Sequence, residues 1–382
     1  VSPDREFPGV VGHARVTAML SRAIERRRLH HGLVFAGPRG IGKATLARGL
    51  ACALNCTLAP AIGCGTCDAC RRLLGGRHTD LVRLEGQGKM RMIATGPARE
   101  IALSAQRAPF EGLGHVIIVD PADRMHPAAA AALLKSIEEP NPGVYWVLLA
   151  TNVRDVLDTI LSRCMLIPLE RLSSEDTRKV VLAAETDSTQ VDAARRELAL
   201  SLADGSPGVA LELLHDHSLE PTRSLLIETL RALERGPSAV FAGDRSPLWS
   251  AWKTAVLATP EPGEHDGEAE AEPEVIVVDT GKKASKKAAK KAGKKASAKK
   301  SDAKPDSPAR QRALAGRLAE LWLLHLRERL LGREGLHAMP AGLGVDVAKQ
   351  MQAISQFQTG LARNPNVRLS FEQLLLGLGR SA

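Results

Sequence analysis

The segment GPRGIGKATLARGL, residues 37–50, sets Gly37, Gly40, Gly42 and Lys43 at the spacing of a phosphate cradle. Glycines let the backbone curl until its N–H groups face phosphate oxygens, and the lysine adds a full positive charge. The pattern G-x-x-x-x-G-K is ordinarily followed by Ser or Thr, whose hydroxyl holds Mg²⁺. Here Ala44 follows, and the first hydroxyl arrives at Thr45. One residue along a helix is a rotation of about 100°, so Thr45 is expected to point elsewhere. The backbone is that of a phosphate loop (P-loop), while the missing ligand argues against tight Mg-ATP binding.

HVIIVDPADRM, residues 115–125, offers a second metal ligand in Asp120 after four apolar residues. It resembles the Walker B strand, in which the Asp helps to hold the metal and a following Glu orients the attacking water. Pro121 stands in that next position, and proline can neither accept a proton nor orient water. The plainer reading of Asp120 is a capping residue at the end of a buried strand.

Cys56, Cys64, Cys67 and Cys70 form a third group, spaced x7, x2 and x2. Four thiolates within fifteen residues can close a tetrahedral Zn²⁺ site, with Gly63 and Gly65 helping the chain to turn. Such a site would be structural, because sulfur would fill every position. Free thiols and an iron–sulfur site are the alternatives. Cys52, one helical turn before Cys56, reads as a small core residue. Six cysteines in 382 residues do not suggest a disulfide framework.

These groups need a scaffold. HGLVFAG (31–37), HVIIVD (115–120) and VYWVLLAT (144–151) are short, nearly continuous apolar runs, as buried parallel strands are. Helical patterns lie between them at 13–28, 43–55, 97–107 and 126–139. The alternation predicts an α/β domain over residues 1–170, with helices on both faces of a parallel sheet. From 171 the pattern turns helical. RLSSEDTRKVVLAAE begins with a cap at Ser173 or Ser174, and DGSPGVALELL ends one helix and starts another. A small helical lid over 171–216 and a further helical domain over 217–382 are expected.

Residues 258–309 interrupt that last domain. An acidic stretch, 260–274, precedes GKKASKKAAKKAGKKASAKK, which has ten lysines in twenty residues. Neither can bury apolar surface, so disorder is expected. The insert has 11 lysines and 10 acids, so the net charge of +9 resides mostly in the rest of the chain. That excess favours polyanions as partners. The lysine run could touch DNA phosphates without sequence preference, and it has no aromatic residue for base stacking. A tolerated surface insertion is the alternative. No apolar run reaches the roughly 20 residues that span a bilayer, and no secretory start is seen, so a cytoplasmic protein is expected.

The order of motifs resembles a known family. A P-loop, LNC…CxxCxxC, the degenerate Walker B strand, ALLKSIEEP (132–140), LLAT (148–151) and LSRC (161–164) follow one another as in the clamp-loader subunits of bacterial DNA polymerase III, which are AAA+ proteins. The resemblance is close over residues 6–215, with a first cysteine gap one residue shorter than usual. It implies an α/β AAA+ P-loop domain, with the zinc module at 56–70, then an all-α lid and an all-α collar. It also implies a hetero-pentameric ring with gamma/tau and delta subunits, acting on the sliding clamp and primed DNA. Ala44, Pro121, GSPG (205–208) in place of a sensor arginine, and IATGPAREI (93–101) resemble the delta-prime branch, which does not hydrolyse ATP. In this family the SRC arginine, here Arg163, reaches the ATP of a neighbouring subunit; Cys164 would pack behind it. Thr151 and Asn152 fall in the sensor-1 region and read as structural. An active gamma/tau-like ATPase is the second reading, and a nucleic-acid-binding adaptor outside replication the third.

Overall fold

The strands are apolar at consecutive positions because both faces of their sheet are covered. In the computed structural model, which describes residues 6–88, 91–185, 191–235, 246–259, 307–330, 347–361 and 366–379, five parallel strands form one sheet. They are β1 (Gly32–Ala36), β2 (Leu81–Glu85), β3 (His115–Asp120), β4 (Val144–Ala150) and β5 (Met165–Pro168), in the order β2-β3-β4-β1-β5. Phe35 pairs with Leu149, Val147 with Ile118, and Asp120 with Glu85.

Side chains alternate between the two faces. Leu33, Phe35, Val116, Ile118, Val147 and Leu149 enter one core with the helices α1 (Ala14–Glu25), α2 (Lys43–Asn55) and α3 (Asp68–Leu74). Val34, Ala36, Ile117, Val119, Trp146 and Leu148 enter the other, with α4 (Thr95–Ser104), α5 (Pro127–Glu138) and α6 (Asp158–Leu161). The three expected strands are present. β2 and β5 are additional: LVRLE carries a charged Arg83, and MLIP is a short edge strand with Met165 and Leu166 largely exposed.

Three lid helices follow, α7 (Ser174–Ala184), α8 (Ala193–Ala203) and α9 (Pro207–His215), around a small core of Val181, Ala199, Ala203, Ala210 and Leu214. Ser173 caps α7, accepting from the Asp176 N–H at 3.0 Å, with Glu175 and Asp176 in the first turn. The described chain divides into two compact units, one ending at Asp216 and one beginning at His217.

The second unit is helical, with α10 (Leu219–Arg235), α11 (Pro247–Ala258), α12 (Pro308–Leu330), α13 (Val347–Leu361) and α14 (Val367–Gly379). Trp249, Trp252, Phe357 and Phe371 form its aromatic cluster, and the Arg368 guanidinium lies 4.2 Å above the Trp249 ring. The acidic stretch and the lysine run fall within 260–306, outside the described residues. Among the described residues no helix is long and apolar enough to cross a membrane.

Candidate functional site

The P-loop joins the buried end of β1 to the first turn of α2, and that position fixes its geometry. Gly40 and Gly42 take φ of 76° and 96°, a region open to glycine at little cost. Lys43 opens α2 and turns back over the loop, donating from Nζ to the carbonyl oxygens of Gly37 and Pro38, each at 2.7 Å. Burial lowers the pKa of Lys43, and the charges of Asp120 and Asp123 oppose that shift. His13, itself buried, donates from Nε2 to the Ile41 carbonyl at 2.9 Å and braces the loop from α1's side.

Around this loop lies a cavity of about 690 Å³. Lys43, Arg39, Arg48, Arg91 and Arg124 supply its positive charge, and Asp120, Asp123 and Glu212 its negative charge. A phosphate chain fits a wall so rich in cations. A metal is less well served. Ala44 offers no oxygen, and Thr45 turns its methyl towards the N-terminal segment, where a β-carbon on Gly9 would stand 3.6 Å from Thr45 Cγ2. Asp120 Oδ2 accepts from Arg83 Nη2 at 2.8 Å, with Arg91 Nη2 at 3.7 Å. Arg83 also meets Glu85 at 2.9 Å. The Asp120–Pro121 peptide bond is cis.

Arg83 was not foreseen as part of the site. The available signal is a charged residue inside a strand whose other inward positions are apolar, because a half-buried charge requires a partner. Asp123 was also missed. It sits in the short 3-10 turn after β3, and its Oδ2 accepts from the backbone N–H groups of Thr151 and Asn152 at 2.9 and 3.0 Å. Asn152 caps the next turn, accepting from the Arg154 N–H at 3.2 Å and donating to Asp155 at 2.7 Å. The side chain of Asn152 is thus committed to its own turn.

The lid closes one side of the cavity. Gly208 N–H donates to the Gly40 carbonyl at 2.8 Å, and Arg39 pairs with Glu212 at 3.0 Å. The backbones approach so closely that a β-carbon on Gly208 would stand 2.9 Å from Gly40 Cα. GSPG therefore lies directly on the P-loop, where its small residues permit backbone-to-backbone contact.

Arg163 follows α6, at the opposite end of β1 from the P-loop. Its Nε donates to Glu138 at the end of α5, and its Nη1 donates to the Thr159 carbonyl at 2.8 Å and to Ser162 Oγ at 3.0 Å. The side chain is 37% exposed. Cys164 packs inward beside Gly32, and burial pushes its thiol up to about 11.

The four expected cysteines come together. Their Sγ atoms all lie within 4.8 Å of one another, with Cys56–Cys67 and Cys64–Cys70 both at 4.0 Å. Those distances are too long for disulfides and close to the edge of about 3.8 Å in a tetrahedron with Zn–S bonds of about 2.3 Å. Backbone N–H groups of Ala59, Cys64, Cys67 and Cys70 point at the sulfurs at 3.2 to 3.4 Å. The N–H of Cys67, with further donors from Thr66, brings the Cys64 thiol down to about 5, whereas burial pushes Cys70 up. A soft divalent cation is what would hold all four as thiolates. Cys52 is fully buried and stays outside the cluster; burial pushes its thiol up to about 12.

Comparison with known proteins fits these features. Residues 12–173 match the family described as "DNA polymerase III, delta subunit". The chain is 36% identical over 173 residues to the DNA polymerase III subunit tau of Escherichia coli, covering 45% of this chain and 26% of that protein. It is 36% identical over 213 residues to the gamma/tau subunit of Mycobacterium tuberculosis, covering 54% of this chain and 36% of that protein. Residues 12–173 are clamp-loader-like. The chain spans only about a quarter to a third of the length of these two relatives. A gamma-subunit-related protein of Thermotoga maritima, known from its crystal structure, aligns over 95% of this chain and 98% of its own, with 16% identity and a TM-score of 0.45. The architecture is a parallel sheet between helices followed by helical segments, the α/β-then-helical order expected from the sequence.

Proposed function

We propose that this chain is a delta-prime-type subunit of a DNA polymerase III clamp loader, one that does not hydrolyse ATP and lends Arg163 to a neighbour. The observation that carries the reading is the state of the metal site. Ala44 supplies no ligand, and the Asp120 carboxylate is engaged by Arg83 at 2.8 Å. Pro121 removes the water-orienting Glu, and GSPG fills the side where a sensor arginine would reach in. A nucleotide held here would lack Mg²⁺ coordination and a general base, the two things phosphoryl transfer needs most.

Arg163 has the properties of a group that works across an interface. It is partly exposed and stands at the end of a short helix, and Glu138 holds its guanidinium. A planar guanidinium can grip the terminal phosphate oxygens of a neighbour's ATP and neutralise charge as it develops. The partners would be gamma/tau and delta subunits in a five-membered ring, opening the sliding clamp for primed DNA in the cytoplasm. The second unit would serve as the collar.

Cys56, Cys64, Cys67 and Cys70 would hold one Zn²⁺. The ion would pin the loop after α2 to the start of α3 and take no part in the chemistry.

A second reading, an active gamma/tau-like ATPase, is favoured by relatives that carry the names tau, gamma/tau and gamma. Turnover of labelled Mg-ATP by the isolated chain separates the two, and reconstitution of the ring with Arg163→Ala tests the trans role. Assembly should be intact and the ring's ATPase rate should fall, because a trans arginine is worth about 10³–10⁵ in rate at the one site it reaches. An unchanged rate would refute the trans role.

A further inference from the structure

Helix α1 and the turn that follows it carry a line of arginines outside the nucleotide site. Between residues 14 and 28 there are five, Arg15, Arg22, Arg26, Arg27 and Arg28, against one acid, Glu25. All five are exposed. Among the described residues none of the five forms an ion pair. At about 100° per residue, Arg15, Arg22 and Arg26 fall within an arc of about 40° on the helix. At about 1.5 Å per residue they extend over about 16 Å. The opposite face, with Thr17, Ala18, Leu20 and Ser21, is buried.

The row borders an open groove of about 530 Å³. Arg15, Arg22, Arg26 and Arg28 form its walls, and Ala18, Met19 and Ala23 its floor. No carboxylate lines it. α1 packs on α2, whose sequence, KATLARGLACALN, contributes no acid from beneath. Leaving four like charges together costs stability through mutual repulsion, which a bound polyanion would relieve.

We propose that this face of α1 binds the phosphate backbone of duplex nucleic acid. The chemistry selects that occupant over an acidic protein. A protein partner needs apolar anchors seated in pockets, and this floor offers only two alanines and a methionine. A sugar-phosphate strand needs a straight series of forked donors, which arginine supplies bidentately, over a shallow apolar floor. The groove has no aromatic side chain, so bases are not stacked and sequence is not read.

The test uses the full chain and a fluorescent 20-base-pair blunt duplex, titrated between 50 and 200 mM salt. The variant is Arg15→Gln/Arg22→Gln/Arg26→Gln. Gln and Arg have similar helix propensities, so the variant's thermal midpoint should match that of the wild type. Each lost phosphate contact lowers the slope of log K against log salt by about 0.9, so three lower it by about 2.7. Over that fourfold salt range the wild type should therefore lose about 40-fold more affinity than the variant. The lysine run is present in both chains and cancels in the difference. A slope change below about 1 would overturn the proposal, as would a wild type with no salt-dependent duplex binding. Poly-glutamate is the second probe. A variant that loses binding to it while keeping the duplex would assign the row to an acidic protein instead.

Discussion

Arg83→Leu tests whether Asp120 is held away from metal chemistry. Arg83 and Asp120 are 16% and 17% exposed, with a contact of 2.8 Å between them. At an effective dielectric constant of about 20, a contact of that length has a gross attraction of about 6 kcal/mol, most of it spent on desolvation. Removing one partner of a fully buried pair costs about 3–5 kcal/mol. Partial exposure, and Arg91 at 3.7 Å, reduce this to about 2 kcal/mol. For a unit of about 200 residues that is a drop of about 4–8 °C in melting midpoint. Asp120→Asn should cost a similar amount. The double variant should fall well short of the sum, because it removes both charges and strands neither. Thermal unfolding of the wild type, both single variants and the double variant gives the coupling directly. A coupling of about 1.5–2 kcal/mol is expected. A value below about 0.5 kcal/mol would refute the reasoning, leaving Asp120 free to take a metal ion.

Other outcomes follow from the same contacts. Glu138→Gln should leave ring assembly intact and lower the ring's kcat more than it raises KM, since it loosens Arg163 without removing it; restoration by Glu138→Asp would confirm a positioning role. Cys67→Ala should reduce bound zinc, measured by atomic absorption, from about one per chain to near none, and a chelator should do the same to the wild type. Gly208→Val would force a side chain against Gly40 and should cost about 1–3 kcal/mol by overpacking, read as a lower melting midpoint; an unchanged midpoint would show that the lid contact is not formed. Hydrogen bonds from Arg72, then from Thr79, hold the Glu111 carboxyl down at about 2, so its folded-state pKa lies below the unfolded value. Its stabilisation is therefore complete above about pH 4.5 and is lost as pH falls towards 2. Wild type and Glu111→Gln should differ in thermal midpoint at neutral pH and converge towards pH 2.

Much of the scaffold was legible because burial on two faces leaves a blunt signature. HGLVFAG, HVIIVD and VYWVLLAT are apolar at nearly every position, and each contains a strand of the central sheet. Ser173 was legible as a cap because its hydroxyl stands before a turn bearing two acids. β2 was not, because Arg83 breaks the apolar run and its partner lies 37 residues on. β5 was not, because an edge strand of four residues with exposed Met165 and Leu166 has no periodicity to read. The cysteine cluster was legible from spacing alone, since two x2 knuckles constrain the sulfurs locally. The pairing of Asp123 with the backbone of Thr151 and Asn152 depends on β3 and β4 lying side by side, which only the sheet order supplies. The same holds for Glu138 and Arg163, which meet only when α5 and α6 are packed together.

On the proposed reading, the P-loop site has lost its catalytic metal ligand and its base. Steady-state hydrolysis of labelled Mg-ATP by the isolated full-length chain tests it most directly. Turnover should be indistinguishable from that of a Lys43→Ala control, with or without DNA. Saturable, magnesium-dependent turnover by the chain alone, abolished in that control, would contradict it.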